Sequence, residues 1–136
     1  MEVAVFHSLI KPDVFDERAD RALTYTGLTR ENFLLAPYSD VVREEFSDWC
    51  SEHRIQQVWA YNRIFDETML ARSGFYLPWT GCIMRKAREQ MPVRPKDPPL
   101  REAALYFLGY EPDVRHRALE DATVAAQVLS VLLRST

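Results

Sequence analysis

The sequence predicts an α/β domain in which helices dominate. Two short runs, VAVFHSLI at 3–10 and IQQVWAY at 55–61, are rich in β-branched and aromatic residues and end in turn signals or polar residues. Several longer stretches repeat their apolar residues at helical spacing. Only 4 Gly stand against 8 Pro, which argues against a many-stranded barrel or sandwich with its Gly-rich turns. At 136 residues the chain suits one domain, 1–136, and 47% apolar content supplies a core for it.

The elements follow in order. Strand 3–10 is stopped by Lys11-Pro12-Asp13, and the polar stretch from Asp13 to Thr24 receives no element. Thr26-Gly27-Leu28 turns into a short helix that Thr29 caps, with Asn32 where a capping box prefers Glu or Gln. Ser39 caps a helix from Asp40 to about Glu52, whose Val42, Phe46, Trp49 and Cys50 share a face. The second strand ends in Val58-Trp59-Ala60-Tyr61, a continuous apolar run of the kind covered on both faces. Asn62 begins a helix that stops near Gly74. Pro78 suits the first turn of another, through about Gln90. A proline-rich loop over 91–99 precedes a helix at Leu100–Leu108, which Gly109 ends. The last helix runs from about Arg117 to Arg134, with an apolar stripe of Ala118, Ala122, Ala125, Leu129 and Leu132.

Composition excludes several classes. The net charge of −3 lacks the strong basic bias of a general nucleic-acid binder, although a site that works through metal ions can sit on an acidic protein. Apolar runs such as Phe33-Leu34-Leu35-Ala36 are far too short to span a bilayer, and no secretion or lipidation signal is present. A soluble protein with no membrane partner is expected, in the cytoplasm by default. Cys50 and Cys82 are too few for a disulfide framework and fall among apolar neighbours, which points to packing.

Two carboxylates stand where a fold alone would place something else. Asp66 follows Asn62 by four residues, just past the second strand, so helical spacing puts amide and carboxylate on one face at the strand's carboxyl end. Open α/β sheets bind ligands at those ends. Asp121, in HRALEDA, borders the apolar stripe of the last helix. His116 lies five residues earlier, about 140° around an ideal helix, so the two face one site only if His116 precedes the helix. Structural roles compete with this reading: Asn62 suits an N-cap, Asp66 a first-turn acid, His116 a solvated loop and Asp121 a surface acid.

These residues carry a resemblance to the DEDDh family of 3′–5′ exonucleases, over almost the whole chain. FHSLIKPD is similar to the family's third strand and YTGLTREN to its conserved turn. Ala60-Tyr61-Asn62-Arg63-Ile64-Phe65-Asp66 resembles the second exonuclease motif, with Tyr61 where His is usual. LREAALYFLGY followed by His116-Arg117-Ala118-Leu119-Glu120-Asp121-Ala122 resembles the third motif in its His form. The resemblance implies a ribonuclease H-like fold, a mixed sheet with flanking helices. It also implies hydrolysis of single-stranded DNA or RNA from its 3′ end, with two Mg²⁺ or Mn²⁺ ions at the scissile phosphate. Asp121 would bind one metal directly, Asp66 the second largely through water, His116 would act as general base, and Asn62 would orient its neighbours.

The chain departs from that pattern at the first motif. No Asp-x-Glu strand lies where the resemblance calls for one, and only ten residues precede Lys11. A second alignment lays MEVAVFHSL over the family's first strand, with His7 and Leu9 in place of the two acids. On either alignment two of four metal-binding carboxylates are missing, as if the fold were shortened by one or two N-terminal strands. The chain is therefore expected to be weak or inactive as an enzyme by itself. A homodimer or a partner chain would complete the open sheet edge, a separate chain would have to supply the missing strands, and a non-catalytic nucleic-acid-binding or assembly module is the alternative. Arg85, Lys86, Arg88, Arg94 and Lys96 crowd the proline-rich loop, where they would meet phosphates or simply face solvent. Among the aromatics, Tyr76 and Trp79 are the candidates for exposed stacking on bases.

Overall fold

A computed structural model describes residues 4–13, 16–24, 26–92, 96–112 and 118–134. The chain divides into two compact units, one comprising 1–56 with 73–75, the other 57–72 with 76–136.

In the first unit the run expected as a strand makes none: residues 4–10 form no ladder. Strand propensity expresses packing against neighbours, and here the described residues offer this segment no sheet partner. Its Phe6 instead joins an aromatic cluster. The ring lies 5.3 Å from Phe46 and 6.0 Å from Trp49, and Phe46 lies 5.9 Å from the buried Phe75. Helix α1 (Glu17–Thr24) occupies the stretch left unassigned above. Asp16 starts it by accepting the Ala19 amide at 2.9 Å, and Glu17 and Asp20 lie in its positive first turn. A 3-10 turn, Arg30–Phe33, follows Thr29 as expected, and Asn32 reaches back to accept the Thr29 amide at 2.8 Å. A shorter side chain thus does what Glu or Gln would do there. Arg30 clamps the Asp20 carboxylate through two hydrogen bonds of 2.7 Å each, which holds that acid below its ordinary range. Helix α2 (Ser39–Glu52) begins one residue before the expected Asp40, with Tyr38 as the extended capping position. It buries Val42 and presents Phe46 and Trp49 to the cluster.

The second unit holds the sheet. Strands β1 (Val58–Ala60) and β2 (Trp79–Cys82) pair in parallel. The α/β class is thus present, as a two-stranded parallel sheet among the described residues rather than a mixed one. Strand β2 corrects the reading of Pro78 as a helix start. Pro78 lies before the strand, its carbonyl accepts the Val58 amide at 3.2 Å, and helix α4 (Ile83–Gln90) begins only afterwards. Between the strands runs α3 (Arg63–Arg72).

Helices α5 (Leu100–Leu108) and α6 (Ala118–Arg134) complete the unit. The bounds of α5 match expectation because both ends are punctuated. Pro99 precedes it, and Gly109 ends it with φ of 79°, a left-handed conformation that costs other residues about 1 kcal/mol. The core is built from Ile83, Ala87, Ala103, Ala104, Ala125, Val128 and Leu132. The stripe expected on α6 is rotated: Ala118 and Ala122 are exposed, and Val128 takes the central place between Ala125 and Leu132. No described helix is long and apolar enough to cross a membrane.

Candidate functional site

The site begins where β1 ends. Val58, Trp59 and Ala60 are half-buried, and the chain turns through Tyr61 and Asn62 into α3. Tyr61 is tied down at both ends: its hydroxyl donates to the Pro98 carbonyl at 2.5 Å, and its carbonyl accepts the Met84 amide at 2.8 Å. The Cys82 thiol donates to the same carbonyl at 3.4 Å, so this cysteine has a structural role. Burial pushes the half-buried Cys50 thiol upward in pKa, away from reactivity.

Asn62 and Asp66 are brought together as the spacing requires. The Asn62 side-chain oxygen accepts the Phe65 amide at 3.5 Å, and its carbonyl accepts the Asp66 amide at 3.1 Å. The Asp66 carboxylate in turn accepts the Asn62 amide. This is a reciprocal cap at a helix N-terminus, so the structural role weighed for these two residues is real. It also fixes the Asp66 carboxylate at the carboxyl end of a parallel strand.

The half-buried position of Asp66 pushes its carboxyl above the ordinary value of 3.8, while the Asn62 amide pulls the other way. Since the folded state holds the proton more tightly than the unfolded one, stability falls as pH rises from 3.8 through the raised folded value. The penalty is fully present above that window and absent below 3.8. Asp66→Asn keeps an acceptor for the Asn62 amide without the charge. It is expected to be more stable than the parent at neutral pH and to lose that advantage in acid, as urea unfolding at both conditions would read.

Asp121 lies in the first turn of α6 and is half-buried. It stands four residues before Ala125 and seven before Val128, on the line of side chains that enters the core. That places it more inward than the stripe drawn through Ala118 and Ala122 had suggested. His116 and Arg94 lie outside the described residues. Among the described residues no three His, Cys, Asp or Glu side chains converge as a metal-holding group.

The nucleic-acid candidates separate. Tyr76 is 81% exposed. Trp79, expected on an open helix, is half-buried in β2 opposite Val58. Arg88 is committed to Asp97 at 3.0 Å. Arg85 and Lys86 line a groove with Trp59, Arg63, Gly81 and Glu89. Sequence reasoning missed the floor of that groove: the Trp59 ring lies against Gly81 so closely that a Cβ there would be 2.4 Å from the ring. A glycine inside a strand was the available signal.

The sequence model of a family described as "Exonuclease" matches residues 1–129. No curated protein and no solved structure gives a significant match.

Proposed function

The chain belongs to the exonuclease family, and from that membership we propose that it engages the 3′ end of single-stranded DNA or RNA at the carboxyl end of β1. Nuclease activity and nucleic-acid binding are what the family suggests, and its members generally use divalent metal ions. One observation carries the placement. The segment that resembles the second exonuclease motif leaves a parallel strand and caps α3, which holds Asp66 at the end of the sheet where α/β folds bind ligands.

The residues are assigned as follows. Asp66 and Asp121 are the carboxylates that face the substrate phosphate and its Mg²⁺ or Mn²⁺. His116 is the general base that takes a proton from the attacking water, since an imidazole titrates near neutrality. Asn62 positions Asp66 through the cap, and Lys86 contributes charge beside the site.

The described donors do not make up a metal centre. Magnesium takes near-octahedral oxygen coordination, whereas two carboxylates from different helices, one already accepting a backbone amide, fall short of it. Because the sequence holds no Asp-x-Glu pair, these 136 residues by themselves are proposed to hydrolyse nucleic acid weakly or not at all. The use of Asp66 as a helix cap favours one second reading, a non-catalytic nucleic-acid-binding or assembly module.

A 3′-labelled single strand, DNA and RNA in parallel, incubated with Mg²⁺ or Mn²⁺, tests both. Near-background release of mononucleotides is expected. Robust digestion that Asp121→Ala abolishes would overturn the claim of weak activity and establish the catalytic reading. Absence of single-strand binding would remove the function altogether.

A further inference from the structure

Residues 4–10 keep their backbone polar groups without backbone partners. They lie in no helix, strand or turn, and among the described residues none of their amides or carbonyls pairs with another backbone group. The Leu9 carbonyl accepts only the neighbouring Ser8 hydroxyl, at 2.8 Å. Groups of this strength are satisfied somewhere, by water or by another chain.

The stretch is nevertheless seated as an edge strand would be. Phe6 rests on Phe46 and Trp49 of α2, and exposure alternates from Val5 to Ser8: Val5 and His7 are exposed, Phe6 and Ser8 half-buried. Just beyond it, the Lys11 amide is fixed on the Pro37 carbonyl at 2.8 Å. Edge strands are ordinarily guarded against other chains by charge or proline, yet Val3 to Ile10 contains no Lys, Arg, Asp, Glu, Pro or Gly.

The same composition selects the occupant. Identical strands side by side oppose like charges wherever they carry any, and this run carries none. In sequence it is bounded by Glu2 and Lys11, and Lys11 has no carboxylate partner among the described residues. Two copies laid antiparallel set acid end against base end twice, whereas parallel pairing would oppose like charges. An unrelated strand offers no such match. A two-fold axis through the middle of the run makes the antiparallel arrangement, and two-fold dimers are the commonest assemblies.

Independently of the nucleic-acid reading, we propose that two copies of this chain pair through residues 4–10, antiparallel across a two-fold axis. The resulting two-stranded ribbon is supported in each copy by Phe6 on α2, the kind of packing against a helix that a two-stranded ribbon needs.

Sedimentation velocity and amide exchange of the full chain over a concentration series test it. In a single copy the amides of 4–10 are open to water. When about nine-tenths of the copies are paired, alternate amides of the stretch should slow about tenfold and those between them should not. Ala4 and Val5 are both exposed, so proline at either spares the seating of Phe6. Neighbouring amides point to opposite edges, so one of Ala4→Pro and Val5→Pro should weaken the dimer by roughly tenfold or more, and the other should leave it near the parent's affinity. A monomer at every concentration would overturn the proposal. So would a dimer whose 4–10 amides stay unprotected, the same effect from both prolines, or growth into assemblies larger than a pair.

Discussion

Leu132→Ala should lower the unfolding free energy by about 2–5 kcal/mol, the range seen when a fully buried leucine loses its branched end. Leu132 is fully buried and belongs to the core of the second unit with Val128 and Ala104. Four of the six other buried residues of that cluster are alanines, while larger side chains such as Met91, Phe107 and Leu108 pack against it, so how far these close the cavity sets where in the range the cost falls. For a domain whose whole stability is about 5–15 kcal/mol, such a loss is a large share. Urea unfolding followed by circular dichroism reads it as a lower midpoint with an unchanged slope. A loss under 1 kcal/mol would mean that α6 does not carry this core.

Gly81→Ala should be destabilising although alanine is small and suits a strand better than glycine. The added Cβ would lie 2.4, 2.7 and 2.9 Å from three atoms of the Trp59 ring, well inside van der Waals contact. Overpacking of this kind costs about 1–3 kcal/mol, through a displaced ring or a shifted strand. A double-mutant cycle separates steric conflict from any backbone effect. Trp59→Leu removes the ring edge, so Gly81→Ala on that background should cost much less, and equal costs on both backgrounds would exclude the clash. The same pair forms the floor of the groove bordered by Arg85 and Lys86. The substitution should thus also perturb Trp59 fluorescence in the folded state.

How much was legible in the chain depended on whether the deciding interactions were local. Helix α5 was readable to the residue because Pro99 and Gly109 act on their own backbones, independently of anything distant. The cap formed by Asn62 and Asp66 was likewise visible in their spacing. Strand β2 was not, since Pro78 serves a helix start and a strand entrance equally well. Only pairing of Trp79 with Val58, some twenty residues away, decides between them. The run at 3–10 failed for the same reason in reverse: it has strand chemistry, and its Phe6 is spent on Phe46 and Trp49 instead. Helix α1 was readable and was passed over, as Asp16 followed by Glu17 and Asp20 is a plain N-terminal signal. For the site, residue types and order identified Asp66 and Asp121, but not that Asp66 is already engaged by a backbone amide.

The alanine-rich seam between α5 and α6 bears on how the protein opens. Ala103, Ala104 and Val128 have no exposed surface, so water reaches these amides only when the two helices part. Hydrogen exchange in the middle of α6 should then be the slowest in the chain and report the global opening of the second unit. The segment from Ala4 to Ile10, with no ladder to break, should exchange fastest, within the dead time of an ordinary measurement. A nuclease-family domain would thus keep its most durable hydrogen bonds behind the site, and its quickest in the extended stretch at the other end of the sequence.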